Sequence, residues 1–232
     1  EYVSLDDEGR VRDLTIHIPG SGDALESLEA YILSKDLLME LVEYCASHNV
    51  SSFSKGVLQP RLKSLVMLPY VHKGYVGRFQ SVESYFQCSM DLLDPAVRAD
   101  LFDPARPIRT KDQSNPSTYY GPDARSTNSL VADGCFIEGT VENSVLSQGV
   151  TVEEGASVSY SVLLPGVRVE RGAQVRYAIL GEGCRVGAEA RVGAAPEDCD
   201  PDAWGLAVLA PECDVAPGRV VPAGKMLNKR GE

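Results

Sequence analysis

From residue 135 to residue 193 the chain repeats itself every 17 residues, and this interval limits what it can fold into more than any other feature. Gly149, Gly166 and Gly183 keep the interval, and so do Val152, Val169 and Val186. Val141, Val158, Val175 and Val192 keep it, as do Leu146, Leu163 and Leu180, and Gly155 and Gly172 fall in step. A period of this size marks a solenoid, in which each repeat buries its apolar face only against its neighbours. Within one repeat the aliphatic positions Val152, Val158, Leu163 and Val169 lie five or six residues apart. That hexapeptide rhythm predicts three short strands per coil, with one aliphatic side chain per strand aimed at the axis. Glycine suits the corners because a turn with positive φ costs it least. A helix fits poorly, since the run is rich in Val and Gly and lacks apolar residues at three/four spacing. The expected fold is a parallel β-helix.

The 232 residues suffice for two modest domains or one large one. Lys plus Arg total 22 and Asp plus Glu 33, a net charge of -11 that argues against sequence-independent nucleic-acid binding, which needs clustered cations. No run approaches the ~20 apolar residues of a membrane span, and no charged-then-apolar leader opens the chain. Because it begins at Glu1 rather than Met, the chain is read as a piece of a longer protein. The six cysteines form no C-x-x-C pair and are expected to be free thiols in a reducing cytosol. Cys135 and Cys184 sit inside the repeat, where a small apolar side chain is useful.

Residues 1–20 read as strand, turn and strand. Asp6-Asp7-Glu8-Gly9 is the turn, followed by Val11, Leu14, Ile16 and Ile18 before Pro19. A loop with Gly20 and Gly22 leads to Tyr31-Ile32-Leu33, which suggests a buried strand. Ser34 caps a helix with Asp36 in its first turn and Leu37, Leu38, Leu41, Val42 and Cys45 on one face; His48 near its end reads as a solvated cap. Residues 65–70 read as a second apolar strand, with a turn at His72-Lys73-Gly74 and residues 75–79 as its hairpin partner. Ser81 opens a helix whose inner face is Val82, Tyr85, Phe86, Met90 and Leu93, and Pro95 restarts a helical turn to Phe102. Four prolines between residues 103 and 123 mark a linker, with the β-helix starting near Leu130. The domains are therefore expected at 1–103, 104–128 (linker) and 129–232. After Gly193 the repeat is interrupted by a loop carrying Glu197, Asp198, Asp200 and Asp202. These lack the spacing and central glycine of a calcium loop and read as a solvated insertion. Val208, Val215 and Val221 then restore the rhythm, and Lys225, Lys229 and Arg230 form a small basic tail.

Residue inventory narrows the chemistry. Hexapeptide acyltransferases need a general base, nearly always His, at a coil edge. This chain has no histidine after His72, which also removes a three-histidine zinc site. Gly181, Gly183 and Gly187 resemble a phosphate loop only superficially, because no helix follows them.

Residues 128–146 (NSLVADGCFIEGTVENSVL) resemble the β-helix entry of bacterial ADP-glucose pyrophosphorylase, also called glucose-1-phosphate adenylyltransferase. Ser84-Tyr85 and Met90-Asp91-Leu92-Leu93 resemble the helix before that family's linker, and Phe102-Asp103-Pro104 with Pro107-Ile108 resembles the linker's start. The resemblance covers nearly the whole chain. It implies a left-handed parallel β-helix preceded by an α/β remnant, the last part of a nucleotidyltransferase domain. The family's glycine-rich nucleotide loop belongs to an N-terminal half that this sequence does not include.

The departures carry the functional expectation. Where active members of the family have Glu-Lys-Pro, this chain has His17-Ile18-Pro19, so an aliphatic replaces the sugar-phosphate lysine. Where they have Gly-Tyr-Trp-x-Asp-Val-Gly-Thr, it has Gly74-Tyr75-Val76-Gly77-Arg78-Phe79-Gln80-Ser81. Arg78 stands in the place of the aspartate that helps hold magnesium, and a cation there opposes a metal that needs anionic oxygens. Nucleotidyl transfer depends on positioning and charge stabilisation, and both lost groups supply them. The resemblance therefore implies a non-catalytic, regulatory-type subunit that pairs with a catalytic paralogue in glycogen synthesis, in the cytoplasm. It implies no catalytic residue and no cofactor in this chain, magnesium being expected only in the partner. Ser27 and Tyr31 match sugar-site positions, and Arg168, Arg185, Arg219 and Lys225 are candidate cations for a sugar-phosphate effector, though exposed charges on a solenoid need no partner. Partners are a catalytic subunit or self-association, with no nucleic acid and no membrane. A divergent active enzyme and a purely structural oligomerisation module are the alternatives. Half a nucleotidyltransferase sheet would expose strand edges and an apolar face, so residues 1–100 are expected to self-associate or to be poorly ordered.

Overall fold

The computed structural model describes residues 1–15, 25–111, 114–200 and 204–231. Its contacts divide the chain into two units, Glu1–Lys73 and Gly74–Glu232.

In the second unit the 17-residue interval is the register of a parallel β-helix. Three six-stranded parallel sheets wrap one axis, each coil giving one strand of two or three residues to each sheet. Val152 pairs with Val169 and Val169 with Val186 in the first sheet, Val158 with Val175 in the second, and Leu163 with Leu180 in the third. Identical side chains stack coil upon coil, and the columns are dry: Val152, Val169, Val175, Leu163 and Leu180 are all 0% exposed. Each buried leucine or valine contributes about 1.5–3 kcal/mol of apolar burial. Cys135, Val150, Val167, Cys184 and Cys213 form a further inward column, confirming the place read for Cys135 and Cys184. Gly149, Gly166 and Gly183 turn one corner at φ 68°, 71° and 67°, a region where a Cβ is strained.

The coil starts earlier than the repeat suggests: strands at Tyr119–Tyr120 and Arg125–Thr127 fall inside the stretch read as linker, and Leu130–Val131 completes this first turn. Its pattern is degenerate: Ser126 occupies the inward position that later coils give to Val141 and Val158. At the far end Leu180 pairs with Leu209, 29 residues on instead of 17. One corner therefore absorbs twelve extra residues without disturbing the ladder. That loop contains a 3-10 turn at Pro196–Asp198, and Trp204 Nε1 donates to the Ala194 carbonyl at 2.9 Å, tying its ends together.

Helices precede the solenoid in this unit. Helix α2 (Val82–Asp91) opens with a capping box in which Ser81 and Ser84 satisfy each other's backbone amides. Its Val82, Tyr85, Phe86 and Met90 pack on Val162, Ile179 and Leu206, the face read from its spacing. Helix α3 (Pro95–Leu101) follows, capped by Asp94. Residues 75–79 form no hairpin. The Tyr75 amide donates to Asp100 of α3 at 2.6 Å, in place of a partner strand's carbonyl, and its hydroxyl donates to Asp91 of α2 at 2.8 Å.

In the first unit β1 (Tyr2–Leu5) pairs antiparallel with β2 (Val11–Thr15) and with β3 (Leu25–Glu26). Asp6 accepts from the amides of Glu8 and Arg10, building the expected turn before Gly9 at φ 76°. Helix α1 (Lys35–His48) is capped by Ser34 and closed by Asn49 in the left-handed region. Of the face read for it only Leu41 is buried; Leu38 and Val42 are exposed. The exposed His48 stacks on Tyr44. Two expected strands are absent. Tyr31 and Ile32 are exposed in irregular chain, and residues 65–70 form no strand, although the Val11 amide donates to the Met67 carbonyl. A stretch apolar on both faces needs layers on both sides, and here Val66, Leu68 and Tyr70 face outward uncovered.

Candidate functional site

The outer faces of the three sheets differ sharply, because each coil places one side chain outward at each strand. The first sheet presents Tyr119, Phe136, Thr151, Arg168, Arg185 and Asp214 in one column. Its arginines are built into a repeated ion-pair motif. Glu153 accepts from Arg168 at 2.6 and 3.0 Å and, through its other oxygen, from the Arg171 amide at 3.1 Å. One coil on, Glu170 accepts from Arg185 at 2.7 Å and from the Ala188 amide at 3.1 Å, with Asp214 lying 3.8 Å from the same guanidinium. The Arg185 hydrogen bond holds the Glu170 carboxyl below its ordinary range.

The four candidate effector cations are not gathered. Arg168 and Arg185 share the first face and are neutralised there by Glu153 and Glu170. Arg219 sits at a corner of the last coil and donates to the Gly231 carbonyl at 2.7 Å. Lys225 stands at the following corner, exposed and without an ion pair among the described residues.

The third sheet is different in kind. Its outward column is Leu130, Val145, Val162, Ile179, Val208 and Met226, one aliphatic or thioether per coil. Helix α2 covers the middle of this stripe, leaving Val162 and Ile179 2% and 6% exposed, whereas Met226 is 58% exposed. Between the start of α2 and the stripe lies an open groove of about 370 Å³ lined by Phe79, Gln80, Ser81, Val82, Tyr85, Ile179 and Val208. The signal was present in the sequence as adjacent aliphatic pairs, Val145-Leu146, Val162-Leu163 and Ile179-Leu180, of which only the inward member was read.

At the corner between the second and third sheets Asn128, Asn143, Tyr160 and Tyr177 all take left-handed backbone, φ 43° to 49°. Asn suits this region and Tyr does not. The tyrosines are held there by their amides, which bond the Glu142 and Ser159 carbonyls, and by ring stacking at 4.8 Å. Trp204 meets Tyr177 edge-on at 5.5 Å, and Arg176 pairs with Asp198 of the insertion at 2.6 Å. Of the four acids read as a solvated insertion, Asp198 is exposed while paired with Arg176, and Asp202 lies outside the described residues.

The sequence-matched sugar-site positions fall in two places. Ser27 and Tyr31 lie in the first unit, where the Ser27 hydroxyl accepts from the Glu29 amide at 3.1 Å. Burial raises the Tyr31 hydroxyl above its ordinary value. Ile18 lies outside the described residues. Arg78 is in the second unit, half-buried, and its carbonyl accepts from the Cys88 thiol. A guanidinium cannot ligate magnesium, so the residue at that place does not fit the metal the resemblance would put there. Among the described residues no three His, Cys, Asp or Glu side chains come together as a metal-binding group, and no helix is long and apolar enough to cross a membrane.

Fold and surface together define a hexapeptide-repeat β-helix, and a family model described as GlmU-like, C-terminal hexapeptide matches residues 117–205. The chain is similar to the glycogen biosynthesis protein GlgD of Bacillus subtilis, 36% identical over 133 residues, which is 57% of this chain and 38% of that protein. It is similar to the glucose-1-phosphate adenylyltransferase of Geobacillus stearothermophilus, 36% identical over 137 residues, 58% of this chain and 35% of that enzyme. The GlgD of Geobacillus stearothermophilus is 36% identical over 151 residues, 62% of this chain and 44% of that protein. The resemblance to the glucose-1-phosphate adenylyltransferase family is thereby shown over the shared segment, and the chain spans less than half the length of these curated relatives.

Proposed function

We propose that this chain acts in glycogen synthesis as a regulatory or assembly subunit of glucose-1-phosphate adenylyltransferase, the enzyme that makes ADP-glucose and pyrophosphate from ATP and glucose 1-phosphate. In this reading the chain is itself non-catalytic, works in the cytoplasm, and associates with a catalytic paralogue that holds the magnesium. The relatives named above support the pathway. The observation that carries the non-catalytic part is Arg78: a permanent cation replaces the metal carboxylate, and two Mg²⁺ charges cannot be held by a donor-only group.

The faces of the β-helix favour assembly over effector capture. Arg168 and Arg185 are engaged by carboxylates, so a sugar phosphate would have to displace an ion pair at each. Arg219 and Lys225 have no ion pair among the described residues, but Arg219 is engaged by the Gly231 carbonyl and Lys225 supplies a point charge without the bidentate geometry that selects a phosphate.

The test is ADP-glucose formation by the full-length protein that carries this segment, alone and mixed with a catalytic glucose-1-phosphate adenylyltransferase from the same source. No turnover alone, with a changed rate or effector response in the mixture, is the expected result. Arg78→Asp should not create activity, because the sugar-phosphate lysine is also missing at Ile18. Turnover by the unmixed full-length protein would overturn the reading.

A further inference from the structure

We infer that the outer face of the first sheet carries a seat for a guanidinium group at Glu138, beside the open ring face of Phe136. The seat is the unfilled rung of a ladder that the chain completes twice further on. Glu138, Glu153 and Glu170 each follow a paired strand residue in successive coils, Ile137 pairing with Val152 and Val152 with Val169, so the three form one row. Glu153 and Glu170 each receive the arginine that stands one coil on. Arg168 donates to Glu153 at 2.6 and 3.0 Å, and Arg185 donates to Glu170 at 2.7 Å. The same register puts Thr151 where Glu138 would find its arginine. Glu138 is half-buried, with neither an ion pair nor a side-chain hydrogen bond among the described residues. One carboxylate of the row is therefore left over, on a chain whose net charge of -11 already draws cations.

An aromatic wall stands beside the empty rung. Tyr119 and Phe136 occupy consecutive positions of one outward column and stack at 4.9 Å with 20° between their planes. Thr151 is the next member of that column, so the far face of the Phe136 ring looks onto the place that a longer side chain at 151 would fill. A cation entering there meets the negative face of the ring and, two residues along the same strand, the Glu138 carboxylate. The geometry also selects the kind of cation. Guanidinium is planar, stacks on an aromatic face and forks its donors onto a carboxylate, and it is the group the chain itself places at Glu153 and Glu170. An ammonium is a compact, strongly hydrated point charge. A metal ion needs several hard oxygens, and among the described residues no three His, Cys, Asp or Glu side chains come together. Both a small guanidinium compound and an arginine side chain in a polypeptide carry the group, and the two arms of the test separate them.

The full-length protein that carries this segment is titrated, by ligand-observed NMR, with propylguanidinium and with a blocked glycyl-arginyl-glycine peptide. Propylammonium and the corresponding lysyl peptide are the matched cations. Saturable binding of a guanidinium probe is expected, about threefold or more tighter than its ammonium counterpart. Glu138→Gln should weaken it about fivefold, and Thr151→Arg should abolish it by filling the seat from within. Asp133→Asn, at an exposed carboxylate of the same coil, is the control and should leave binding unchanged. Thr151→Arg should also raise the melting temperature when Glu138 is present and not when it is combined with Glu138→Gln, a readout that needs no ligand. Propylguanidinium binding as tightly as the peptide assigns the seat to a small compound, and binding of the peptide alone assigns it to an arginine side chain; either upholds the inference. No saturable binding by either probe overturns it, and so does binding that is indifferent to Glu138→Gln or equal for guanidinium and ammonium. Because the readouts are binding and melting, the inference can fail while the nucleotidyl-transfer reading stands, and the reverse.

Discussion

The hydroxyl of Ser144 accepts a hydrogen bond from the amide of Ser161 at 3.1 Å, and the hydroxyl of Ser161 accepts from the amide of Ala178 at 3.2 Å, one coil further on. Each hydroxyl in turn donates two residues back along its own chain, Ser144 to Glu142 and Ser161 to Ser159. These serines are 0% exposed and are the buried polar side chains among the described residues. They stitch successive coils at a tight corner where strand pairing is interrupted, and Ser129 begins the same column.

Ser161→Val should therefore destabilise the protein by about 1–3 kcal/mol, the cost of a buried amide at Ala178 left without an acceptor. The apolar gain of the extra methyls does not offset this, because the position is already filled. Ser129→Ala, at the partly exposed start of the column, should cost less. Urea denaturation of the two variants checks the ordering, and equal effects would refute it.

Acid sensitivity should concentrate at Glu170. Its carboxyl is held below the ordinary value of 4.5, first by the Arg185 hydrogen bond. A carboxylate whose folded pKa is depressed stabilises the fold above its unfolded pKa, and that contribution fades as the pH falls through the folded value. Glu170→Gln should be less stable than the unaltered chain at neutral pH, and the gap should close below the ordinary carboxylate range. Thermal melts from neutral pH down to acid give the comparison. A gap independent of pH would mean that shape, not charge, matters at this position.

Thiol reactivity should split the six cysteines into two groups of three. Cys135, Cys184 and Cys213 lie buried in the solenoid core, and burial pushes the Cys184 thiol up to about 11. The thiolate is the reactive form, so these three should resist alkylation at neutral pH. Cys45, Cys88 and Cys199 are partly exposed and should react. Peptide mapping after brief alkylation, native and in denaturant, reads the difference; native labelling of Cys184 would contradict the packing described.

The β-helix was legible in the sequence because a solenoid writes its register locally. Val152, Val169 and Val186 recur at a fixed interval since each must meet the same neighbour one coil away, and Ser34 and Ser81 announce helices because a cap acts within four residues. What depends on contacts far apart along the chain was not legible. Residues 65–70 have the composition of a buried strand, yet whether such a stretch pairs depends on layers that no local pattern specifies. The tertiary structure alone decided that Arg168 and Arg185 are matched by Glu153 and Glu170, fifteen residues back, and that the outward aliphatics of the third sheet form a single stripe. Stacking converts a period in sequence into adjacency in space, and only at that point does a column of ordinary side chains become a surface.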